Sequence, residues 1–461
     1  MPLVGHTPKA ETDPRAAAVS MLLAVESGAH SGALLAALPA AMAARDRALA
    51  TEIVYGVLRR RSILDRALAG VASRPLERID PPLLALLRVA LYQVLFLDRV
   101  PPPAAVDEAV GLARRRSGRP AAAFVNGTLR GFLRAGRLRP GDIAGPRPEG
   151  PHDEGRLRDW LACDTSFPRP FVDRVIDREG DAGGEALLRA LNSPAPVALR
   201  VARRAGSPEA AVERLAADGV RALPSPVLAG ALRVVEGTAP ASAAFRDGWL
   251  YVQDEASQIL ALLLAPLGAA VSVIDLCAAP GGKTLQIADV EDRPRTLVSA
   301  DASRTRLVRL VENARRMGIG GILPVVMDAA APAFRRRFDR VLLDAPCSGT
   351  GVIRRHPEIR WRVTEMVVRR CAERQARLLD AAAGLVAPGG RLIYSVCSLE
   401  PEEGSGRIEA LLSDRPGMCR VDARTVLPAT LHHLVDGDGA LVTRPGRDDM
   451  DGFFAAILTL C

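Results

Sequence analysis

The feature that most constrains this chain is the decapeptide DLCAAPGGKT at residues 275–284, which follows the apolar run 271–274. A β-rich run that breaks into Pro280, Gly281 and Gly282 and continues into a helix-compatible segment predicts a strand, a tight turn and a helix start. Such turns bind ligands in open α/β sheets, because glycine lets the backbone approach closely and a helix start offers free N–H groups. We therefore expect a cofactor at this turn.

Two common phosphate-binding motifs do not fit the decapeptide. The pattern G-x-x-x-x-G-K-[ST] would end at Gly282, Lys283 and Thr284, but its first glycine is replaced by Cys277. No G-x-G-x-x-G follows a predicted strand either. A nucleoside triphosphatase and a nicotinamide or flavin dehydrogenase are therefore disfavoured. A strand–helix turn without a ligand is the remaining alternative.

The positive charge is concentrated at the start of the chain. Residues 1–140 carry 20 basic and 11 acidic side chains, whereas the other 321 residues carry 41 basic and 42 acidic ones. This asymmetry predicts that the first domain binds a polyanion, most often a nucleic acid. A basic surface that is merely solvated is the alternative. The arginine clusters 59–61 and 114–116 are expected at helix ends or on exposed faces.

The cysteines and the apolar segments indicate the compartment. Seven cysteines without a C-x-x-C pair predict neither a disulfide framework nor a zinc site, and we expect no metal. A reducing cytoplasm fits this pattern, and the N-terminal residues lack the apolar core of a signal peptide. The uncharged run 256–274 contains Pro266, Gly268 and Ser272, which predicts a buried helix and a strand, not a membrane span. We expect a cytoplasmic monomer.

The pattern along the 461 residues predicts several domains. Apolar residues recur at spacings of three and four up to residue 136, which predicts an all-α N-terminal domain over 1–137. Residues 138–155 contain four prolines and four glycines and predict a linker. Residues 156–240 predict a small α/β subdomain, with a strand at 198–203 and a helix at 207–219 that Ser207 caps.

Strands and helices alternate in the remaining part, residues 241–461. We predict strands at 296–301, 322–328, 338–344 and 391–397, and helices at 303–317 and 364–386. Pro388, Gly389 and Gly390 are expected to stop the second helix, and residues 452–459 to add an edge strand. This alternation predicts an α/β, doubly wound and mainly parallel sheet.

Four acids, Asp275, Asp301, Asp328 and Asp344, each close a predicted strand. The carboxyl ends of parallel strands share one edge of the sheet, so we expect these carboxylates along one crevice. Asp301 has the distance from the glycine turn at which a carboxylate binds a ribose. Solvation of a strand end is the alternative for any single one of them.

Four motifs resemble the RNA 5-methylcytosine methyltransferases of the Nol/Nop/Sun group: residues 275–284, 344–351 (DAPCSGTG), 394–403 (YSVCSLEPEE) and 451–454 (DGFF). Residues 45–64, 87–97 and 124–129 resemble the NusB family of helical RNA-binding domains. With 252–258 (VQDEASQ) and 354–362 (RRHPEIRWR), nearly the whole chain is similar to members that modify bacterial small-subunit ribosomal RNA.

The resemblance implies a Rossmann-like class I methyltransferase domain over 241–461 and RNA as the partner. It implies S-adenosylmethionine as the cofactor, held by Cys277, Ala278, Ala279, Pro280, Gly281, Gly282, Lys283, Asp301, Asp328 and Asp344. His356 and Trp361 lie in a basic stretch that could contact RNA, although a surface histidine is equally consistent with it.

Methylation of cytosine at carbon 5 explains why cysteines occur in these motifs. Carbon 5 is a poor nucleophile until a thiolate adds to carbon 6, and a base must later remove the carbon 5 proton. Cys347 and Cys397 each follow a predicted strand end, and spacing alone does not decide which one attacks. The resemblance implies that Cys397 is the nucleophile and that Cys347 assists product release. Val396 stands where the family usually has threonine. The other five cysteines are expected to be packing residues.

Lys283 is one of only two lysines, against 59 arginines. A chain that has almost dispensed with lysine keeps one where a compact ammonium is needed, or by chance. We expect Lys283 and Asp344 beside the cytosine or the nucleophile, where they stabilise developing charge. The alternatives to an RNA cytosine methyltransferase are a non-catalytic RNA-binding or antitermination factor, and a cytosine-5 methyltransferase acting on transfer RNA or DNA.

Overall fold

The computed structural model describes residues 12–136, 139–149 and 154–461. The chain divides into two compact units: Met1–Asn192 with Arg355–Arg362, and Ser193–Arg354 with Val363–Cys461. None of the helices within the described ranges has the length and apolar character needed to cross a bilayer.

The first unit is built from helices alone in its described part, as predicted for the N-terminal domain. Apolar side chains at spacings of three and four give each long helix one buried face, and Ile53, Leu64, Leu87 and Leu129 lie in the common core. The eight helices are α1 (Pro14–Glu26), α2 (Ser31–Ala36), α3 (Ala44–Ala69), α4 (Pro81–Phe96), α5 (Pro102–Ala135), α6 (Pro140–Ala144), α7 (Glu154–Asp164) and α8 (Arg169–Asn192).

The segment predicted as a linker contains folded structure in its described residues. The short helix α6 forms near its start, and Ile143 and Ala144 are buried in the core of the first unit. Helices α7 and α8 also belong to this unit, although residues 156–240 were expected to form a separate subdomain. Pro140 begins α6, and Gly145 follows its last residue. The predicted domain boundaries remain predictions.

Two arginine clusters have different environments in the first unit. Residues Arg59, Arg60 and Arg61 lie inside α3, not at its end, and are half-buried with their guanidinium groups over aromatic rings at 5.2–5.4 Å. Burial lowers the pKa of all three. The expectation of an exposed cluster is therefore wrong for residues 59–61. Residues 114–116 are exposed on α5, as expected.

The basic stretch Arg355–Arg362 folds into the first unit. Glu358 is fully buried and accepts hydrogen bonds from the Ser31 backbone N–H at 3.0 Å and from its hydroxyl at 2.8 Å. Arg360 is also fully buried and donates to the Asn192 amide oxygen at 2.9 Å. These charged side chains hold the unit together, so the stretch is a structural element.

The second unit begins with a small antiparallel sheet in the order β2-β3-β1-β4. Leu199, Leu215, Leu232 and Leu250 pack between this sheet and its helices. Ser207 caps the first helix by accepting from the Ala210 N–H, as predicted. The small α/β fold is confirmed. Its elements are β1 (Val197–Val201), α9 (Pro208–Ala217), β2 (Arg221–Pro224), β3 (Ala231–Glu236), α10 (Ala243–Arg246) and β4 (Leu250–Val252).

The large sheet of the second unit has the order β10-β12-β9-β8-β5-β6-β7, with β11 paired to β12. The strands are β5 (Ser272–Asp275), β6 (Thr296–Asp301), β7 (Ile322–Val326), β8 (Phe338–Asp344), β9 (Val386–Val396), β10 (Met418–Val421), β11 (Leu441–Thr443) and β12 (Phe453–Leu460). The helices are α11 (Glu255–Leu262), α12 (Gly282–Ala288), α13 (Arg304–Met317), α14 (Glu365–Gly384) and α15 (Ser405–Asp414).

Strands β9, β8, β5, β6 and β7 are parallel, which confirms the doubly wound sheet. The chain runs outward from β5 to β7 and then returns to β8 on the other side of β5. Open α/β sheets bind ligands at such a reversal, here at the carboxyl ends of β5 and β8. The decapeptide begins at the end of β5 and Asp344 ends β8, so both lie at this edge.

Two sequence predictions about this sheet are wrong. Strand β12 is not an edge strand, because it lies between β10 and β9 and is antiparallel to both. The tripeptide Pro388-Gly389-Gly390 lies inside β9 and does not merely stop α14, which already ends at Gly384. A Cβ atom at Gly390 would lie 2.8 Å from the Ala387 carbonyl oxygen, so glycine permits this irregularity.

Two of the seven cysteines are not free. Cys419 of β10 and Cys461, just after β12, form a disulfide. The antiparallel pairing of β10 with β12 brings these positions together, and the Cys461 N–H donates to the Gly417 carbonyl oxygen at 2.9 Å. The expectation that both are unpaired packing residues is therefore wrong.

Candidate active site

The site is organised by the parallel pairing of β8 with β9, in which Asp344 lies opposite Ser395. The Ser395 hydroxyl donates to the Asp344 carboxylate at 2.8 Å. The chain leaves both strands at the same edge, and the next residues bring the Cys347 and Cys397 sulfur atoms to 3.2 Å from each other. The two cysteines singled out from the sequence thus form one thiol pair.

Lys283, in the first turn of α12, joins the same edge. Its ammonium donates to the second Asp344 oxygen at 2.6 Å and lies 5.7 Å from the centre of the Phe453 ring. Burial lowers the pKa of Lys283, but the Asp344 carboxylate, together with Asp275 and Cys397, raises it by more, so the pKa lies above its ordinary value. The site therefore holds a fixed positive charge near Cys397.

Cys347 is held on both sides by a buried polar clamp. The Gln375 side chain donates to the carbonyl oxygen of Pro346 at 3.0 Å, and the Ser348 N–H donates to the Glu403 carboxylate at 3.0 Å. Gln375 and Glu403 are both fully buried. The hydrogen bond to Cys397 and burial raise the pKa of the Cys347 thiol well above its ordinary value. Cys347 is therefore a protonated thiol at neutral pH.

Backbone hydrogen bonds connect the loops that follow β8 and β9 with the start of β12. The Gly351 N–H donates to the Cys397 carbonyl oxygen at 3.1 Å, and the Gly452 N–H donates to the Gly351 carbonyl oxygen at 2.9 Å. A Cβ atom on Gly351 would lie 1.9 Å from the Gly452 oxygen. Three motifs that are distant in sequence therefore form one framework around Cys397.

The glycine turn of the decapeptide is stabilised by protein packing. Gly281 has a left-handed φ of 112°, and a Cβ atom there would lie 2.8 Å from Leu310 Cγ of α13. Ala278 and Ala279 are buried with Leu310 in the same cluster. Gly281 is thus needed for its backbone conformation and for helix packing, and the close approach of a ligand to this turn remains a prediction.

Cys277 lies in this turn but is not a nucleophile candidate. Burial raises the pKa of its thiol to about 12, and the surrounding carboxylates add to the shift. It remains a thiol at neutral pH, in agreement with a packing role.

The strand-end carboxylates offer acceptors of the kind that the expected cofactor needs. The two Asp301 oxygens accept from the Ala279 N–H at 3.2 Å and the Ser303 N–H at 2.8 Å, and the first of them also lies 3.6 Å from the Arg306 guanidinium. Asp328 is exposed and accepts from the Ala330 N–H at 2.9 Å. Hydroxyl and amino groups donate hydrogen bonds to carboxylates, and a sulfonium is attracted by their negative charge. These residues therefore fit S-adenosylmethionine.

Sequence reasoning missed several residues that hold the site. Ser395 and Glu403 lie within a quoted motif, and their hydroxyl and carboxyl groups were the available signal. Thr284 donates to the buried Asp275 carboxylate at 2.7 Å. Gln375 lies outside every motif, and its only signal is that it is a polar residue on the apolar face of α14.

The buried carboxyl group of Asp275, at the end of β5, should make the stability of the protein depend on pH. The side chain is only 1% exposed, and burial raises its pKa to about 7. An unfolded chain ionises this group near pH 4, so the unfolded state binds fewer protons between about pH 4 and 7. Relative to Asp275→Asn, the free energy of unfolding of the native protein should therefore fall by about 1.4 kcal/mol for each pH unit by which the pH rises in this window. Urea titrations of both proteins from pH 5 to 8 measure the difference.

Asp339→Asn is the matched control, because hydrogen bonds from Ser272 lower the Asp339 pKa. Its stability difference from the native protein should stay constant above pH 5. The assignment fails if the Asp275→Asn difference is equally flat.

Comparisons with known proteins agree with this geometry. Residues 261–459 match the family model 16S rRNA methyltransferase RsmB/F, residues 12–134 match the NusB family, and residues 167–239 match the ferredoxin-like domain of RsmF/B-like methyltransferases. The probable ribosomal RNA small subunit methyltransferase B of Bacillus subtilis is 33% identical over 414 residues, which cover 89% of this chain and 90% of the relative. The ribosomal RNA small subunit methyltransferase B of Salmonella typhi is 33% identical over 448 residues, 96% of this chain and 97% of the relative.

Solved structures show the same fold. The crystal structure of PH0851 superimposes with a TM-score of 0.79 at 27% identity, and covers 98% of this chain and 100% of that one. NSun6 from Pyrococcus horikoshii has a TM-score of 0.57 at 22% identity over 64% of this chain and 98% of its own, and indicates the fold alone. Because the family models follow one another in order and the relatives match over most of their length, the chain belongs to the 16S rRNA methyltransferase RsmB/F family.

Proposed function

We propose that this protein transfers a methyl group from S-adenosylmethionine to carbon 5 of a cytosine in small-subunit ribosomal RNA. The observation that carries the proposal is the thiol pair, Cys347 and Cys397 at 3.2 Å, beside the Lys283–Asp344 ion pair. A polar, charged crevice with two thiols is what covalent activation of a pyrimidine requires. The names of the relatives support small-subunit ribosomal RNA as the substrate.

The cofactor supplies a methyl group carried by a positively charged sulfur. The residues proposed to hold it are those of the glycine turn, 277–283, together with Asp301, Asp328 and Asp344. The Asp301 carboxylate is oriented by the Ala279 and Ser303 N–H groups and paired with Arg306, and its remaining lone pairs are proposed to accept hydrogen bonds from the cofactor. Asp344 has the additional task of fixing the Lys283 ammonium.

Cys397 is the proposed nucleophile. Its thiolate adds to carbon 6 of the cytosine, and the electron pair of the carbon 5–carbon 6 double bond moves into the ring, which makes carbon 5 nucleophilic toward the methyl group. Lys283 stabilises the negative charge that develops on the ring, in the manner of an oxyanion-type donor. The raised Cys347 pKa argues against Cys347 as the attacking thiolate.

Product release reverses the addition. A base, either a water molecule or a side chain of the site, takes the carbon 5 proton; the electrons of that carbon–hydrogen bond re-form the double bond, and the carbon 6–sulfur bond breaks with its electron pair returning to Cys397. The Cys347 thiol, hydrogen-bonded to Cys397, can pass its proton to the departing sulfur and prevent it from adding again. Two thiols in contact can therefore divide attack and release between them.

RNA binding by the first unit completes the proposal. Its match to the NusB family and the excess of basic residues in 1–140 support a nucleic-acid partner. A non-catalytic RNA-binding factor is disfavoured, because a decayed site would have no reason to keep two buried clamp residues around a paired thiol.

The function is tested in cells and with purified protein. Bisulfite sequencing should show a cytosine in small-subunit ribosomal RNA that is methylated in cells with the gene and unmethylated without it. Expression of the native chain should restore the signal, and Cys397→Ala should not. Cys371→Ala is the control, since this half-buried thiol, whose pKa burial raises to about 11, lies outside the pair.

A 5-fluorocytosine substrate separates the roles of the two thiols, because fluorine at carbon 5 blocks release. With this RNA, native enzyme and Cys347→Ala should form a covalent adduct on denaturing gels, and Cys397→Ala should form none. With ordinary RNA, Cys347→Ala alone should accumulate adduct. Adduct formation by Cys397→Ala but not by Cys347→Ala would instead indicate the arrangement of DNA cytosine methyltransferases.

The clamp around Cys347 predicts a specific defect in Gln375→Ala. Loss of the hydrogen bond to the Pro346 carbonyl should displace Cys347 from Cys397, so that adduct forms on ordinary RNA but resolves about tenfold more slowly. Gln258→Ala, which also removes a buried glutamine of the second unit, is the control. Equal rates of adduct resolution in the two variants would refute the clamp.

Replacing Lys283 should lower kcat even when the new side chain keeps the positive charge. Lys283→Arg should lower kcat about tenfold or more, because the broad guanidinium does not fit between Asp344 and the Phe453 ring. The kcat of Lys283→Met, which loses the charge, should fall further. Methylation by Lys283→Arg at the native rate would show that this position needs no compact ammonium.

A further inference from the structure

Helix α14 carries a row of arginines on its exposed side. Arg370, Arg374 and Arg377 are exposed and lie at spacings of four and three, so they share one face of the helix. Within the described ranges, none of the three makes a hydrogen bond or ion pair, whereas the adjacent Arg369 pairs with Glu373 at 3.2 Å. These three residues, which we call the arginine row, are available to an external anion.

The arginine row lies next to the catalytic crevice. Arg374 directly precedes Gln375, whose side chain holds the Pro346 carbonyl beside Cys347. Burial raises the pKa of Cys277 to about 12 and of Cys371 to about 11, and the positive charge of Arg374 opposes both shifts. Arg374 is therefore close to the glycine turn as well as to the thiol loop.

We propose that the arginine row binds the phosphates of the RNA strand that carries the target cytosine into the crevice. This inference rests on the proposed function. A cytosine can reach Cys397 only if the nucleotides beside it pass over the mouth of the crevice, and their phosphates need cationic partners. From Arg370 to Arg377 the helix rises about 10 Å, which spans two or three successive phosphates.

The side chains suit this ligand. The guanidinium group presents a planar set of donors that matches phosphate oxygens and stays charged at any physiological pH. Because the row is exposed and without internal partners, RNA binding does not have to break existing ion pairs. The arginine row contacts the phosphates of the RNA backbone, so it holds the RNA strand independently of base identity.

The chain offers a matched control for charge. Arg335, Arg336 and Arg337 are also three exposed arginines of the second unit, but they precede β8 and so lie at the amino end of the parallel strands, opposite the crevice. Replacing either set with glutamine removes three positive charges.

The test compares Arg370→Gln/Arg374→Gln/Arg377→Gln with Arg335→Gln/Arg336→Gln/Arg337→Gln in the full chain. Steady-state methylation of a small-subunit ribosomal RNA fragment is measured at several salt concentrations, with S-adenosylmethionine affinity measured by calorimetry. The row variant should raise KM for RNA about tenfold or more and reduce the slope of log affinity against log salt by about 2. Its kcat and cofactor affinity should stay within about twofold of native, and the control variant should behave as native.

Equal changes in KM and salt slope for the two variants would overturn the arginine row as an RNA site, because the effect would then reflect net charge alone. An unchanged KM in the row variant would do the same. A native chain that binds this RNA but does not methylate it would instead overturn the proposed function.

Discussion

The site depends on one register, the parallel pairing of β8 with β9. Because side chains alternate between the two faces of a sheet, Asp344 and Ser395 can bond only if these two positions lie side by side. The same register brings the following loops together and sets the two sulfur atoms 3.2 Å from each other. A slip of one residue would turn Ser395 to the opposite face and separate the thiols. The most reactive groups are thus fixed by backbone hydrogen bonds and not by loop sequence alone.

Hydrogen bonding and electrostatics then keep Cys347 in its thiol form. Cys347 is hydrogen-bonded and buried near the Glu403 carboxylate, and all three effects hold its proton in place. Lys283 stays charged because Asp344, together with Asp275 and Cys397, offsets the effect of its burial on the pKa. The family resemblance implies that Cys397 attacks and that Cys347 assists release. The raised pKa of the Cys347 thiol is consistent with this proposed division.

The sequence predicted local structure better than long-range pairing. Strands β6 and β8 agree with prediction to the residue, and the helix predicted at 303–317 corresponds to α13 with Ser303 as its cap, because an apolar run and a capping side chain are local signals. The interior position of β12 was missed, since nothing within a strand tells which neighbours it will have. The Cys419–Cys461 disulfide and the half-buried arginines of α3 were also missed, because they too depend on contacts with distant parts of the chain. In the site, motif residues were found, but Gln375 was not, because its role depends on a carbonyl 29 positions away.

The glycines of the site show why it is formed before any ligand arrives. The position that a side chain would take at Gly281 is filled by Leu310, and at Gly351 by the Gly452 backbone. Asp301 is likewise oriented by two N–H groups of its own chain. Hydrogen bonds and packing within the protein therefore bear the entropic cost of ordering the turn, the carboxylates and the thiol loops during folding. Under the proposed function, binding then has to order only the substrate, so more of the interaction energy with RNA remains for bringing a cytosine to Cys397.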